Sequence, residues 1–195
     1  MNRGIGLSGL AALALSAIGC TRAISLDYVP PPDVMPSQVQ HATTVGHFED
    51  NREDPSNWLG AIRDGTGIPI KNLETSGPVN VAVARVFSAA LRARGMFAED
   101  SSGRFVLSGT ITKLDCGQYA RREANVDLQV IITERASGRQ VFSKRFKAEN
   151  VDGSLITLKK GFFGSIEELR LLTQKTLQQV IDSALDDPEL QQALR

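Results

Sequence analysis

Three runs of alternating apolar and polar residues between Phe105 and Ala148 constrain the fold of this chain more than any other feature. Phe105, Leu107, Gly109 and Ile111 interleave with Val106, Ser108, Thr110 and Thr112, and Val126, Leu128, Val130 and Ile132 interleave with Asp127, Gln129 and Thr133. Successive side chains of a strand point to opposite faces of a sheet, so each run has one face to bury and one that is largely polar. Ala136-Ser137-Gly138 supplies turn residues before the third run, where Val141, Phe142, Phe146 and Ala148 are spaced by Lys144, Arg145 and Lys147. Three consecutive antiparallel strands follow, and their apolar face needs a second layer to cover it.

Two helical patterns can supply that layer. Pro78 sits where a first helical turn tolerates it, and Val79, Val83, Val86, Phe87, Ala90 and Leu91 recur at helical spacing before Gly95, a natural C-terminal cap. Near the end, Ser165 and Glu168 form a capping-box pattern ahead of the stripe Leu169, Leu172, Thr173, Thr176, Leu177, Val180, Ile181, Ala184 and Leu185. Asp186-Asp187-Pro188 ends that helix, and 189–195 has room for a short terminal one. Upstream, His41 to Phe48 has the β-branched content of a first strand, stopped by the polar run from Glu49 to Pro55. Ser56 to Thr75 reads as a long loop with Gly60, Gly65 and Gly67, pinned by Trp58, Leu59, Ile62, Ile68 and Ile70, parts of which can pair as short strands. The predicted order is β-α-β-β-β-α. It describes an α+β domain over 41–195, with a four-stranded, mainly antiparallel sheet and two helices packed on one face. The polar outer sides, Ser108, Thr110 and Thr112 among them, suit a second face open to water or a partner.

The amino terminus sets the compartment. Arg3 provides a positive start, Ile5 to Ile18 is almost wholly apolar or small, and Ala17-Ile18-Gly19-Cys20 closes the segment. The apolar run is shorter than the roughly 20 residues a membrane-crossing helix needs, so 1–19 reads as an export signal. Its last four residues resemble a lipobox, the cleavage site of bacterial lipoproteins, with Ala17 where Leu is usual. That resemblance implies a palmitate-type triacyl anchor on Cys20, which is effectively permanent at about 0.8 kcal/mol per buried methylene. Thr21, in place of the Asp that resembles an inner-membrane retention signal, points to the outer membrane. Pro30-Pro31-Pro32 and Pro36 make 20–40 read as a disordered, partly extended tether, long enough to lift the domain several tens of ångströms from the bilayer at about 3 Å per residue.

Chemistry-bearing residues are sparse. The balance of 22 Lys and Arg against 22 Asp and Glu lacks the basic surplus that nucleic-acid binding requires. His41 and His47 fall on one strand face but about 20 Å apart, too far for one metal ion. Asp50, Glu53 and Asp54 lack the order of an EF-hand loop, and the glycines of 60–67 are not followed by the Lys-Ser or Lys-Thr of a phosphate loop. With Cys20 acylated, Cys116 has no disulfide partner; it is a tolerated small residue or a handle for an intermolecular bond. No nucleophile, base and orienting group assemble from the motifs, so the expectation is a protein without catalysis, cofactor or metal. Lys159-Lys160-Gly161-Phe162-Phe163-Gly164 is the sharpest candidate contact segment: a basic loop with two adjacent aromatics that anchors a partner or a lipid headgroup layer, or a loop in which one Phe packs under the last helix.

Past residue 40 the chain resembles the YajG-like family of small bacterial lipoproteins. The resemblance covers most of 43–194 and rests on Asp50-Asn51-Arg52, on Leu59-Gly60 through Gly65-Thr66-Gly67, on Leu107-Ser108-Gly109, and on Ala184-Leu185-Asp186-Asp187 with Pro188. It implies an outer-membrane lipoprotein without known catalysis. A looser, fold-level similarity runs to auxiliary lipoproteins of lipid-exporting ABC systems and to lipoprotein activators of cell-wall synthases. The expectation is a periplasm-facing interaction module with an envelope protein partner. The alternative is a lipid or glycan carrier holding its ligand between the helices and the glycine-rich loop, with Trp58 and Phe162 as wall residues.

Overall fold

The computed structural model describes residues 20–99, 102–153 and 165–195. The export signal over 1–19 and the segment holding Lys159, Lys160, Phe162 and Phe163 lie outside these residues. Ten elements follow one another: β1 Cys20–Ile24, β2 Thr43–Asp50, β3 Trp58–Arg63, β4 Pro69–Thr75, α1 Val79–Ala93, β5 Phe105–Gln118, β6 Arg122–Glu134, β7 Gln140–Asp152, α2 Ile166–Leu185 and α3 Pro188–Ala193.

The predicted antiparallel meander is present and forms the long half of the sheet. Phe105 to Gln118 pairs with Glu134 to Arg122, and Arg122 to Thr133 pairs with Asp152 to Gln140. Leu107, Ile111, Leu114, Leu128, Val130 and Ile132 are fully buried on the side covered by helix, in line with the alternation. α2 lies over this half, with Leu169, Leu177, Val180 and Ile181 turned inward and Ser165 capping the Glu168 amide. Pro188 opens α3 while the Asp187 carboxylate accepts from the Glu189 and Leu190 amides.

Among the described residues the sheet has seven strands and the chain three helices, so the expected four strands and two helices understate the fold. Two of the additional strands come from the glycine-rich stretch. β3 and β4 form an antiparallel hairpin whose turn is closed by Asp64, and β3 runs parallel to the last residues of β5 through Gly60 to Ile62. The glycine at 60 is required there, since a Cβ would lie 1.7 Å from the Cys116 carbonyl oxygen. β2 pairs, also in parallel, with the first half of the same edge of β5, so β2 and β3 lie end to end along one long strand. α1 covers β2, with Phe48 stacked on Phe87 at 5.1 Å. It ends on Gly95 at φ 68°, where the Met96 amide reaches back to the Leu91 carbonyl and the Gly95 amide to that of Arg92, a Schellman closure.

The third addition overturns the disordered tether. β1 begins at Cys20 itself and pairs in parallel with β4, Cys20 opposite Lys71 through Ile24 opposite Thr75, at one edge of the sheet. Ile24 and Leu26 enter the core, the latter with no exposed surface. The chain then runs along α2: the Asp27 amide donates to Gln174, the Val29 amide to Gln178, and the Val29 carbonyl accepts from Gln178 at 2.7 Å. The prolines do not hold the segment extended throughout, since the Val34 amide donates to the Pro31 carbonyl at 3.1 Å to close a turn, and ahead of them the glutamines of α2 satisfy the backbone of Asp27 and Val29 in place of water.

Candidate functional site

The two ends of the molecule differ in what they gather. At one end lie the start of β1, the β3–β4 turn, the β5–β6 turn, the end of β7 and the start of α2, because β1 and β4 start together, β5 ends beside β3, and Arg122 pairs with both Asp152 and Glu168. At the other lie the start of β5, the β6–β7 turn, the end of α1, and α3.

Cys20, singled out by the lipobox pattern, falls at the first of these ends. Its backbone is the first residue of an edge strand, so no free linker separates it from the folded domain. Trp58 starts β3 and lines a cleft of about 450 Å³, not a space between the helices and a loop. That cleft opens along the ends of β3, β5 and β6, with Tyr119, Asp115, Glu123, Asn125 and Arg63 as further walls. Its polar groups are partly spoken for: Asn125 donates to Asp115 at 2.9 Å, Arg121 donates to Glu123 at 2.7 Å, and Tyr119 donates to the Gly65 carbonyl at 2.9 Å.

Cys116 also borders the cleft, yet its side chain is buried. Burial pushes the thiol up to about 12, with a hydrogen bond to Thr173 working weakly the other way, so at neutral pH it is protonated and a poor nucleophile. The two histidines stay apart. His41 sits at φ 48° beside the Phe97 carbonyl, 3.1 Å from Nδ1, while His47 is exposed on β2. Among the described residues no three His, Cys, Asp or Glu side chains converge on a metal position, and no helix is long and apolar enough to cross a membrane.

Two arginines that carry no motif chemistry turn out to hold the architecture. Arg52, inside the polar run that stops the first strand, has a side chain only 3% exposed. It grips Asp50 at 2.8 Å and donates to the carbonyls of Trp58 and Leu114, fastening the crossing from β2 to β3 against β5. Arg94, after α1, is 2% exposed and reaches Asp182 and Asp186, each at 3.0 Å, and the Tyr28 hydroxyl at 2.7 Å. Tyr28 in turn donates to Asp182 at 2.7 Å; burial and that carboxylate push its phenol up to about 12. This cluster locks the segment after β1 onto α2. Its one advance signal is the spacing of Ile24, Leu26 and Tyr28, a short period-two run that the neighbouring prolines obscure.

The face of the sheet away from the helices is polar and ion-paired. Asp127 receives Arg145 at 2.7 Å and Lys147 at 3.0 Å, and Gln129 donates to Ser143 at 2.7 Å. Burial works against the Asp127 carboxylate, but the hydrogen bonds from Arg145 and Lys147 outweigh it and hold the group below its ordinary value. Thr110 lies on this face, half-buried.

No family model and no curated relative matches the chain. Solved structures share its fold. A Xanthomonas campestris protein of the family DUF330 is 13% identical with a TM-score of 0.61, over 89% of this chain and 96% of its own. An uncharacterized protein is 12% identical at TM-score 0.50, over 77% and 95%. The lipoprotein GNA1162 from Neisseria meningitidis is 12% identical at TM-score 0.31, over 73% and 99%. At these identities the first two show a common fold and nothing of substrate or partner, and the third carries no argument.

Proposed function

We propose that the chain is a lipid-anchored accessory protein of the bacterial envelope, a YajG-like lipoprotein whose domain works by binding an envelope protein rather than by catalysis. The observation that carries this reading is the export segment closing on Ala17-Ile18-Gly19-Cys20, with the folded domain beginning at that cysteine. The protonated Cys116 and the separated histidines favour a binding role, and the polar open face of β5 to β7 offers the partner a flat, hydrogen-bonding surface. Residue 21 as Thr supports an outer-membrane, periplasm-facing placement. Incorporation of an alkyne-tagged palmitate into the full chain, and its loss in Cys20→Ala, tests the anchor; a photoreactive residue at Thr110 that yields one specific protein adduct in the host tests the module.

A second reading, a lipid or glycan carrier, is favoured by the cleft at Trp58, where an aromatic wall meets carboxylate and amide groups. Lipid or glycan co-purifying with the chain, and lost in Trp58→Ala, would put it first.

A further inference from the structure

If 20–40 were a free tether, the domain's orientation on the membrane would be arbitrary. The structure removes that freedom. Cys20 pairs with Lys71, and adjacent strands lie about 4.8 Å apart, so an anchor at Cys20 places the start of β4 within a few ångströms of the acylated residue's backbone. The residues immediately before Lys71 are Ile68, Pro69 and Ile70, all exposed, with Ile68 at 60%. Ile68 and Ile70 are two apart on an extended chain and so share a face. Tyr119, 58% exposed, comes from the β5–β6 turn to join them through its hydrogen bond to Gly65.

Exposed apolar surface is concentrated at this end. Of the eight large apolar side chains exposed among the described residues, Ile68, Ile70, Tyr119, Val151 and Leu171 lie here, Val151 opposite Glu123 and Leu171 early in α2. Asp64, the one carboxylate of the β3–β4 turn, is engaged by the turn's own donors, accepting from the Thr66 hydroxyl and the Thr66 and Ile68 amides. Tyr119 has the amphipathic form that suits a membrane interface, an exposed ring with its hydroxyl already satisfied.

We propose that the rim formed by Ile68, Ile70 and Tyr119 rests in the headgroup layer of the bilayer that holds Cys20. The inference rests on the lipid-anchor reading and adds an orientation to it: the sheet stands with its β3–β4 and β5–β6 turns on the membrane and presents its polar face sideways. The bilayer is the occupant because the anchor and the rim share one end of the sheet with no intervening linker.

The chain contains a single tryptophan, which permits a direct test. In a Trp58→Phe background, single reporters are placed by Ile68→Trp, Tyr119→Trp and, in the exposed β6–β7 turn at the far end, Ser137→Trp. The full chain is processed in a lipoprotein-competent host, its acyl mass on Cys20 is read by mass spectrometry, and it is reconstituted into phosphatidylethanolamine–phosphatidylglycerol vesicles with brominated acyl chains. Reporters at 68 and 119 are expected to be quenched roughly twofold or more, as for groups 5–10 Å into the interface, while that at 137 is unchanged. Acylated, vesicle-bound chain in which 68 and 119 are quenched no more than 137 overturns the rim and leaves the anchor standing. Chain with no acyl mass on Cys20 overturns both.

Discussion

The segment from Cys20 to Gln40 and the meander from Phe105 to Asp152 belong to one sheet, but they are held in different ways. In the meander each strand is laddered to its sequence neighbour over most of its length, and its inward side chains fill the core. The N-terminal segment has a five-residue edge strand, one fully buried side chain in Leu26, and then point attachments to Gln174, Gln178, Asp182 and Arg94. The meander's order is local and redundant, whereas the segment's order depends on distant side chains. A region fixed in the second way should open on its own, at a free energy below that of global unfolding.

The largest effect is expected from Leu128→Ala, at a position with no exposed surface in the middle of β6. A cavity there should cost about 2–5 kcal/mol and move the whole denaturant transition without splitting it. Arg94→Ala should cost about 3 kcal/mol, because it strands Asp182 and Tyr28, while the exposed Asp186 contributes little. Hydrogen exchange should show that loss first at the Val29 and Ser37 amides; if all amides lose protection together, the two regions are one cooperative unit and the contrast fails.

Asp187 tests the meander's outer support, since it caps α3 and pairs with Lys144 of β7 at 2.8 Å. Burial alone would raise its pKa, but the Lys144 contact and the Leu190 and Glu189 amides outweigh it and hold the group below 3.8. A depressed carboxylate contributes stability that is present above its unfolded value and lost as pH falls through its folded one. Asp187→Ala should therefore cost about 1 kcal/mol at neutral pH, and the gap between variant and parent should begin to narrow in thermal melts only as pH is lowered past 3.8 toward the depressed folded value. The smallest effect belongs to Arg145→Ala: this side chain is 47% exposed on the open face and Lys147 stays on the buried Asp127 at 3.0 Å, so its loss should shift the denaturation midpoint only slightly. A clear shift would mean that the open face, too, is held by its ion pairs.

The same contrast explains what the sequence made legible. β5, β6, β7, α1 and α2 are readable because their periodicity is written within each element, and so are the caps at Ser165 and Gly95. β1 was hidden because its partner is β4, and the run after it because Asp27 and Val29 are held by glutamines on α2; apart from the short spacing of Ile24, Leu26 and Tyr28, these distant partners leave no pattern in 20–40. Arg52 was hidden for a related reason: a polar run looks solvated until the crossing strand that buries it is known. The residues before Cys20 single it out by themselves, whereas nothing in the sequence marks the exposure of Ile68 and Ile70, which read as pins for a loop.

On the lipid-anchor reading proposed above, the start of β1 at Cys20 would also set an order of events in maturation. A peptidase that cuts between Gly19 and Cys20 must hold the chain extended on both sides of that bond, and the same stretch, once folded, is laddered to Lys71 through Thr75. A chain exported in that way would bring Lys71 through the export channel after Cys20, so the cleavage site would be exposed before its strand partner exists. Modification and cutting would have that interval in which to finish. A chain that folds completely while still unprocessed would close its own edge strand over the site and remain a precursor.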